Sequence, residues 1–285
     1  MASDASVDGA SVTVPSDNRE RVRPTAIRLR PRTSVILGVT SLIGVAAFCW
    51  PLVIQGHAGA NQAHSADAPW LFVAVLPLLL AVILGEMAEG TLDAKAIALL
   101  GILAACGAAL RVPSPGIAGF EPVFFLLIPS GRVFGRGFGF VLGAVTIVAS
   151  ALITGGIGPW LPFQMFGAAW MGFGAGCLPP LRGRAELVML AGYAAVSAVL
   201  YGTLLNLWFW PFGAGTSTGF SFSPGAGALV NLHSFVLFDL TTSLGFDISR
   251  AVTNAVLVLL LGRPVLAALR RASRRAAFDA PVIYH

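Results

Sequence analysis

The sequence predicts an all-α fold, a polytopic membrane helix bundle, and three observations indicate this class. Only 11% of the 285 residues are charged and 56% are hydrophobic, whereas a soluble domain has about 25% charged residues. The mean hydropathy is +0.82. The apolar residues form long runs, which suit helices because about 20 helical residues cross the hydrocarbon core, whereas outer-membrane strands alternate over about ten residues.

The apolar runs give the order of about eight predicted spans. An even number of spans places both termini on the same side of the membrane. Residues 1–32 precede the first run, are rich in Ser, Asp and Arg and lack periodicity, so we expect a disordered basic tail there. The runs cover residues 33–54, 70–87, 94–110, 120–134, 138–154, 160–178, 187–210 and 246–262.

Arginine is unevenly distributed between the two sides of this predicted bundle. Residues 19–32 and the segment after the last run are arginine-rich, whereas the connections at 55–69 and 211–245 contain no Lys or Arg. Because cytoplasmic segments carry the excess of positive charge, we expect a multi-pass protein of the cell (inner) membrane with both termini cytoplasmic. This explanation of the basic ends is favoured over nucleic-acid binding. Arg111 and Arg250 fall on the predicted outer side and are the exceptions.

No motif in the sequence predicts an enzyme, a metal site or a bound cofactor. Cys49, Cys106 and Cys177 are far apart and lack the spacing of metal ligands. The glycine-rich stretch at 131–143 does not fit GxGxxG and instead predicts a tight turn between two closely packed helices. The single lysine, Lys95, follows no Walker A loop. If the protein takes part in ATP-driven transport, another chain must hydrolyse the ATP.

A stripe of small residues marks one face of the third predicted span. Its members are three or four residues apart, which places them on one side of a helix. Helices approach each other closely in lipid through such faces. Two interpretations are open, packing within the chain and docking of a partner helix. The stripe consists of Ala94, Ala98, Gly101, Ala105 and Ala109.

Polar and ionisable residues gather at the predicted outer end of the bundle. Such residues are costly at membrane depth and indicate a functional site. Asp247, Arg250 and Asn254 share one face of the last span, and a rise of about 1.5 Å per residue places Asp247 in the outer leaflet. We therefore predict an outward-facing cavity that binds a polar solute. Its candidate residues are Glu121, Trp160, Gln164, Asn206, Asp247, Arg250 and Asn254.

These candidates also have structural explanations. Asp247 and Arg250 can pair with each other, since they are three residues apart on a helix. For Gln164 and Asn206, a hydrogen bond between helices is as good an explanation as contact with a ligand. An aromatic belt at the membrane surface would account for the tryptophans of this end. They are Trp160, Trp208 and Trp210.

Part of the sequence resembles a known family. The run FEPVFFLLIPSGRVFGRGFGFVLGAVTIVASALITGGIGPWLPFQM and the closing helix DISRAVTNAVLVLLLGRPVL resemble the substrate-binding S component of an energy-coupling factor (ECF) transporter. GPWLPFQM is the most specific part. The implied organisation is a basic cytoplasmic tail at 1–32, two additional N-terminal transmembrane helices at 33–93, a six-helix S-component-like core at 94–275 and a cytoplasmic tail at 276–285.

The resemblance implies a substrate-capture subunit of an ATP-driven vitamin importer. Such a subunit binds its ligand from outside and docks through a small-residue helix on a membrane T subunit, which carries two cytoplasmic ATPase subunits. It then topples in the bilayer to release the ligand. The small-residue stripe would be the docking face of this chain. Cobalamin or another corrinoid fits best among the substrates, because the predicted cavity is wide, aromatic and poor in charge. The two additional spans depart from the family plan and would hinder toppling.

An intramembrane enzyme acting on a lipid or prenyl substrate is the alternative function. Such enzymes use paired acidic motifs that hold a metal, or a nucleophile with a base. The acidic cluster of Glu86, Glu89 and Asp93 falls on a predicted cytoplasmic turn. The importer subunit is therefore favoured.

Overall fold

The computed structural model describes residues 31–53, 94–113, 117–213, 219–223 and 225–276, and these ranges contain eight α-helices and no β-strand. The all-α class is thus confirmed for the described part of the chain. A short 3₁₀ turn, Ile117–Gly119, lies between the second and third helices. The helices are α1 (Pro31–Val53), α2 (Ala94–Arg111), α3 (Val123–Phe134), α4 (Arg136–Thr154), α5 (Leu161–Cys177), α6 (Gly183–Gly213), α7 (Ala228–Thr242) and α8 (Leu244–Ala276).

Seven of the eight apolar runs coincide with helices. Within the described ranges, three helices are long and apolar enough to cross a membrane, namely Arg136–Thr154, Gly183–Pro211 and Leu244–Arg274. Their length and composition are those of membrane-spanning helices. The run at 70–87, the acidic cluster that follows it and most of both predicted tails lie outside the described residues. The total number of spans and the side on which the termini lie stay predictions.

Two helices differ from their prediction. The connection at 211–245 contains α7, whose buried residues Asn231, Phe235 and Phe238 form one face while apolar residues also cover the exposed side. Polar residues interrupt the apolar pattern of α7, so no span was expected there. The last helix, α8, continues to Ala276, well past the predicted end at residue 262. Arginine favours helix as well as leucine does, so the loss of apolar character does not end α8.

The centre of the bundle is a seam of glycines between α3, α4 and α5. Gly135, with φ +94°, forms the tight turn between α3 and α4 that the glycine-rich stretch predicts. A Cβ atom on Gly139 would collide with the backbone carbonyl of Gly172, and a Cβ on Gly172 would collide with that of Gly139. The two backbones are therefore in direct contact, which only glycine permits. Fully buried phenylalanines such as Phe140 and Phe163 pack around this seam.

The first helix is an integral part of this bundle. Phe48 packs edge-to-face on Phe163 of α5, with ring centroids 5.0 Å apart. The indole Nε1 of Trp170, also on α5, donates a hydrogen bond of 3.0 Å to the hydroxyl of Ser41. Because α1 contributes buried side chains to the main core, it is packed onto the remaining helices and not only tethered to them.

Candidate ligand site at the polar end

The chain brings the polar candidates together at one end of the bundle, here called the polar end. Helices α2 and α6 end there, whereas α3, α5 and α8 begin there. Side-chain contacts between these helices link residues that are more than 50 positions apart in the sequence. The gathering of polar residues therefore results from the antiparallel order of the helices.

Four ionised side chains form a buried group, here called the charge cluster: Arg111, Glu121, Asp247 and Arg250. Arg250 donates through Nε to Glu121 Oε2 at 2.6 Å and through Nη1 to Asp247 Oδ1 at 2.5 Å. Arg111 Nη2 lies 3.7 Å from Glu121 Oε1. Two cations thus face two anions, and the cluster is formally neutral. Mutual neutralisation makes the burial of these charges tolerable, since an unpaired charge would be strongly penalised.

A glycine makes room for the charge cluster on α6. A Cβ atom on Gly202 would collide with the Asp247 carboxylate and would lie 2.7 Å from Arg250 Nη1. One turn earlier, the carbonyl of Ala198 accepts a hydrogen bond of 3.4 Å from Arg250. The guanidinium carbon of Arg250 also lies 5.6 Å from the centre of the Tyr201 ring, within cation–π distance. The backbone and one aromatic face of α6 therefore complete the cluster.

Asn254 has a structural position. It is fully buried, and its Nδ2 donates to the backbone carbonyls of Glu121 and Arg250, both at 2.9 Å. Its Oδ1 and the buried hydroxyl of Tyr201 have no hydrogen-bond partner among the described residues. Asn254 thus holds the start of α3 against α8 and leaves one unsatisfied oxygen next to the charge cluster.

Gln164 forms the hydrogen bond between helices that one of the two interpretations expects. Its Oε1 accepts a bond of 3.1 Å from Arg111 Nη2, which ties α5 to the end of α2. The side chain is half-buried. Because Arg111 contacts both Gln164 and Glu121, Gln164 extends the charge cluster towards the surface. Contact of Gln164 with a ligand stays a prediction.

Asn206 belongs to a second polar group, which was not expected from the sequence. Its Nδ2 donates to Asp239 Oδ1 at 2.6 Å and to the Ser243 hydroxyl at 2.5 Å. Thr203 donates to the other oxygen of Asp239 at 3.1 Å. The spacing of Thr203 and Asn206, which places them on one face of α6, was the only feature of the sequence that pointed to this group. Their common partner, Asp239, lies on α7, which was not predicted.

An aromatic groove opens beside these two polar groups. It has a volume of about 250 Å³ and is lined by Trp160, Leu205, Asn206, Trp208 and Phe209. Trp160 is 44% exposed, whereas Trp208 is only 5% exposed. The groove combines indole and phenyl surfaces with one amide and contains no charged side chain, so it suits a flat or partly apolar molecule with a few hydrogen-bonding groups.

The tryptophans of the polar end separate into two kinds. Trp208 stacks on Phe163 with ring centroids 4.6 Å apart. Trp210 is fully buried and donates through Nε1 to the carbonyl of Phe220 at 2.7 Å. Both lie inside the protein, so the interpretation of Trp208 and Trp210 as residues of a lipid-facing belt is wrong. Only Trp160, among these three, has the exposure that a belt residue needs.

The small-residue stripe occupies the outer face of α2. Ala98, Gly101, Ala105 and Ala109 are exposed on the bundle surface, and no atom lies within 4 Å of a Cβ placed on Gly101. The opposite face of α2, with Leu103 and others, is buried against the bundle. The side chain of Ala94 is outside the described part of the structure. The stripe is therefore not used for packing among the described helices.

The described residues contain no group of three or more His, Cys, Asp or Glu side chains that could hold a metal ion. No protein-family model, curated protein or solved structure matches the chain.

Proposed function

We propose that the chain is the substrate-capture subunit of an ATP-driven importer of the ECF type, which binds a vitamin at the polar end. The observation that carries the proposal is the outer face of α2. A continuous row of small residues is exposed there, although a small-residue face is the usual means of close helix packing in lipid. A partner helix is the natural occupant, and a membrane T subunit carrying two cytoplasmic ATPase subunits would supply it.

The aromatic groove supports ligand capture at the polar end. Trp160 and Phe209 offer exposed ring surface, and Asn206 offers amide groups. The ions of the charge cluster are paired with one another, so they do not provide a free charge for an ionic ligand. A largely neutral ligand with an extended π system matches this distribution.

The volume of the groove bears on the identity of the ligand. Sites that enclose a drug-sized molecule measure about 300–1,000 Å³, and the groove has about 250 Å³. Cobalamin or another corrinoid is larger than such a molecule, so its capture requires the groove to widen or the ligand to remain partly outside. A smaller vitamin would fit with less movement. The resemblance of the sequence to ECF S components therefore favours a corrinoid, whereas the volume of the groove favours a smaller aromatic vitamin.

Ligand binding is tested with the full chain purified in detergent. Each vitamin, cobalamin included, is added separately, and the thermal midpoint is measured. We expect one vitamin to raise the midpoint, because a ligand that binds only the folded state stabilises it. Trp160→Ala should abolish this increase, whereas Phe246→Ala, which removes an exposed aromatic ring outside the groove, should not. An unchanged midpoint with every vitamin would contradict capture at this site.

Partner docking is tested by Gly101→Leu. A leucine on the exposed face of α2 should prevent close approach of a partner helix and reduce co-purification with the ECF T subunit at least tenfold, while vitamin binding is kept. Gly192→Leu is the matched control, because Gly192 is also an exposed helical glycine with no atom within 4 Å of its Cβ position. Equal co-purification of both variants with the T subunit would remove the docking face from α2.

A further inference from the structure

The end of the bundle opposite the polar end, here called the basic end, is organised around one buried carboxylate. Glu186 lies in the first turn of α6 and is 1% exposed. Its Oε1 accepts a hydrogen bond of 3.0 Å from Arg132 Nε on α3. Arg270 Nη2, on α8, donates to both oxygens of Glu186 at 2.6 and 2.8 Å. Glu186 therefore ties three helices together and is already occupied by two guanidinium groups.

A basic groove lies beside Glu186, between the start of α6 and the last turns of α8. Its volume is about 450 Å³, and four arginines contribute to its lining, namely Arg263, Arg270, Arg271 and Arg274. All four are exposed at the surface. Glu186 is the sole acidic residue of the lining, and it cannot neutralise four cations in addition to Arg132. The groove thus carries a large excess of positive charge.

Three of the four arginines of the basic groove lie on one face of α8, and Arg271 lies beside them. Arg263, Arg270 and Arg274 follow one another at intervals of seven and four residues, which keeps them on one helix face. Guanidinium groups bind phosphate oxygens in a bidentate manner. Several of them around one concavity can therefore hold a phosphate from more than one side.

The same helix face becomes apolar immediately towards the centre of the bundle. Leu259 precedes Arg263 by four residues and shares its face, and Leu260 beside it is 70% exposed. Val188, which directly follows the lining residue Leu187 on α6, is 65% exposed. The exposed aliphatic side chains lie next to the basic groove, on the side towards the centre of the bundle. This arrangement matches an anionic lipid, whose phosphate would contact the arginines while its acyl chains contact the aliphatic residues. A soluble anion would need only the arginines.

We propose that the basic groove binds the head group of an anionic phospholipid, with the phosphate against Arg263 and Arg271, since Arg270 already donates to Glu186, and the acyl chains along Leu259 and Leu260. Basic pockets between helices at a membrane surface bind such head groups. Glu186 has a positioning role, since it fixes Arg270 on the wall of the groove. The proposal uses the apolar helices and the charges of this end, and it does not depend on the importer function.

The experiment uses the full chain, delipidated in neutral detergent, and measures lipid binding by native mass spectrometry. Dioleoyl phosphatidylglycerol and dioleoyl phosphatidylcholine are the two probes. We expect the first to bind at least tenfold more tightly. Arg263→Gln with Arg271→Gln should weaken binding of phosphatidylglycerol about 10- to 30-fold, because each arginine near an anionic lipid contributes about fivefold. Arg263→Lys with Arg271→Lys keeps the positive charge and should therefore weaken binding of phosphatidylglycerol less than the Gln pair does.

The matched control removes the same charge from the same end. Arg182 and Arg184 are exposed next to the start of α6 but do not line the groove, so Arg182→Gln with Arg184→Gln should bind phosphatidylglycerol as the unaltered protein does. Equal losses in the two Gln pairs would overturn the proposal in favour of a diffuse charge effect. An equal affinity of the unaltered protein for both lipids would overturn it as well. Displacement of the bound lipid by millimolar inorganic phosphate would assign the groove to a soluble anion.

Discussion

The two ends of the bundle handle charge in opposite ways. At the polar end, two arginines and two carboxylates are buried and pair with one another. At the basic end, one buried carboxylate accepts two arginines, and further arginines remain exposed. The polar end is thus neutral inside and presents aromatic surface outside, whereas the basic end presents positive charge. The aromatic surface suits the neutral ligand proposed for the polar end, whereas the exposed positive charge suits the anionic lipid proposed for the basic end.

The two groups of charges also differ in what they contribute to the stability of the fold. A buried ion pair gains little net energy because both ions lose water, but removal of one partner leaves an uncompensated charge. At the surface, water replaces the missing partner and the loss is small. Equivalent substitutions at the two ends should therefore have unequal effects on stability.

The largest effect is expected for Glu121→Gln at the polar end. Glu121 is the anion that both Arg250 and Arg111 approach, and it is 4% exposed. Its neutralisation leaves the charge cluster with an unpaired buried cation, which costs about 3–5 kcal/mol of unfolding free energy. Denaturation in detergent micelles measures the loss. Glu121→Gln combined with Arg111→Gln removes one charge of each sign, keeps the ion pair of Arg250 with Asp247, and should recover part of the loss; a double variant less stable than the single one would contradict mutual neutralisation.

A smaller effect is expected for Gly202→Ala, which tests the fit of the charge cluster on α6. The new Cβ would collide with the Asp247 carboxylate, and overpacking of this kind costs about 1–3 kcal/mol. Gly192→Ala on the same helix is the control. No atom lies within 4 Å of that Cβ, so alanine should stabilise the helix there by about 0.5–1 kcal/mol. Opposite signs of the two changes in thermal midpoint are expected, and equal signs would show that Asp247 moves freely.

The sequence predicted the local part of the polar end correctly. Asp247, Arg250 and Asn254 share a face because their spacing follows the helical repeat, and the ion pair of the first two is formed within one helix. Glu121 was identified as a candidate, but its partner Arg250 is 129 residues away. Spacing along the chain carries no information on such a pair, since tertiary packing decides it.

Helix boundaries show the same limit. The apolar runs located α4 and α5 to within a few residues, because continuous apolar segments of this length have few alternatives. Helix α7 was not expected, since Asn231, His233 and Asp239 interrupt its apolar pattern. Because α7 was not predicted, the second polar group was not predicted either, since Asp239 lies on α7. When a helix is missed in the prediction, every contact that its side chains make is missed as well.

The third prediction concerns Gln164→Leu, which separates the two roles of this amide. Loss of the hydrogen bond from Arg111 should lower the unfolding free energy by about 1–2 kcal/mol, somewhat less than for a fully buried bond to a charged group. If the amide also binds the vitamin, the dissociation constant should rise about 5- to 100-fold. Gln164→Glu retains an acceptor for Arg111 and should keep most of the stability. A less stable protein with an unaltered dissociation constant would limit Gln164 to joining α5 and α2.

The smallest effect is expected for Arg270→Gln at the basic end. The Arg270 side chain is 44% exposed, whereas that of Glu186 is 2% exposed. After the substitution Glu186 keeps its ion pair with Arg132, with Nε and Oε1 3.0 Å apart, and water can reach the place that the guanidinium leaves. The change in unfolding free energy should therefore be about 1 kcal/mol or less.

The same substitution at the polar end, Arg250→Gln, is the matched control: it leaves the buried Asp247 without its cation and should cost several times as much. Thermal denaturation of both variants, at low salt and at about 0.5 M salt, gives a second criterion, because screening weakens an exposed pair more than a buried one. Equal losses with equal salt dependence at the two ends would contradict the contrast between a sealed charge cluster and an open basic groove.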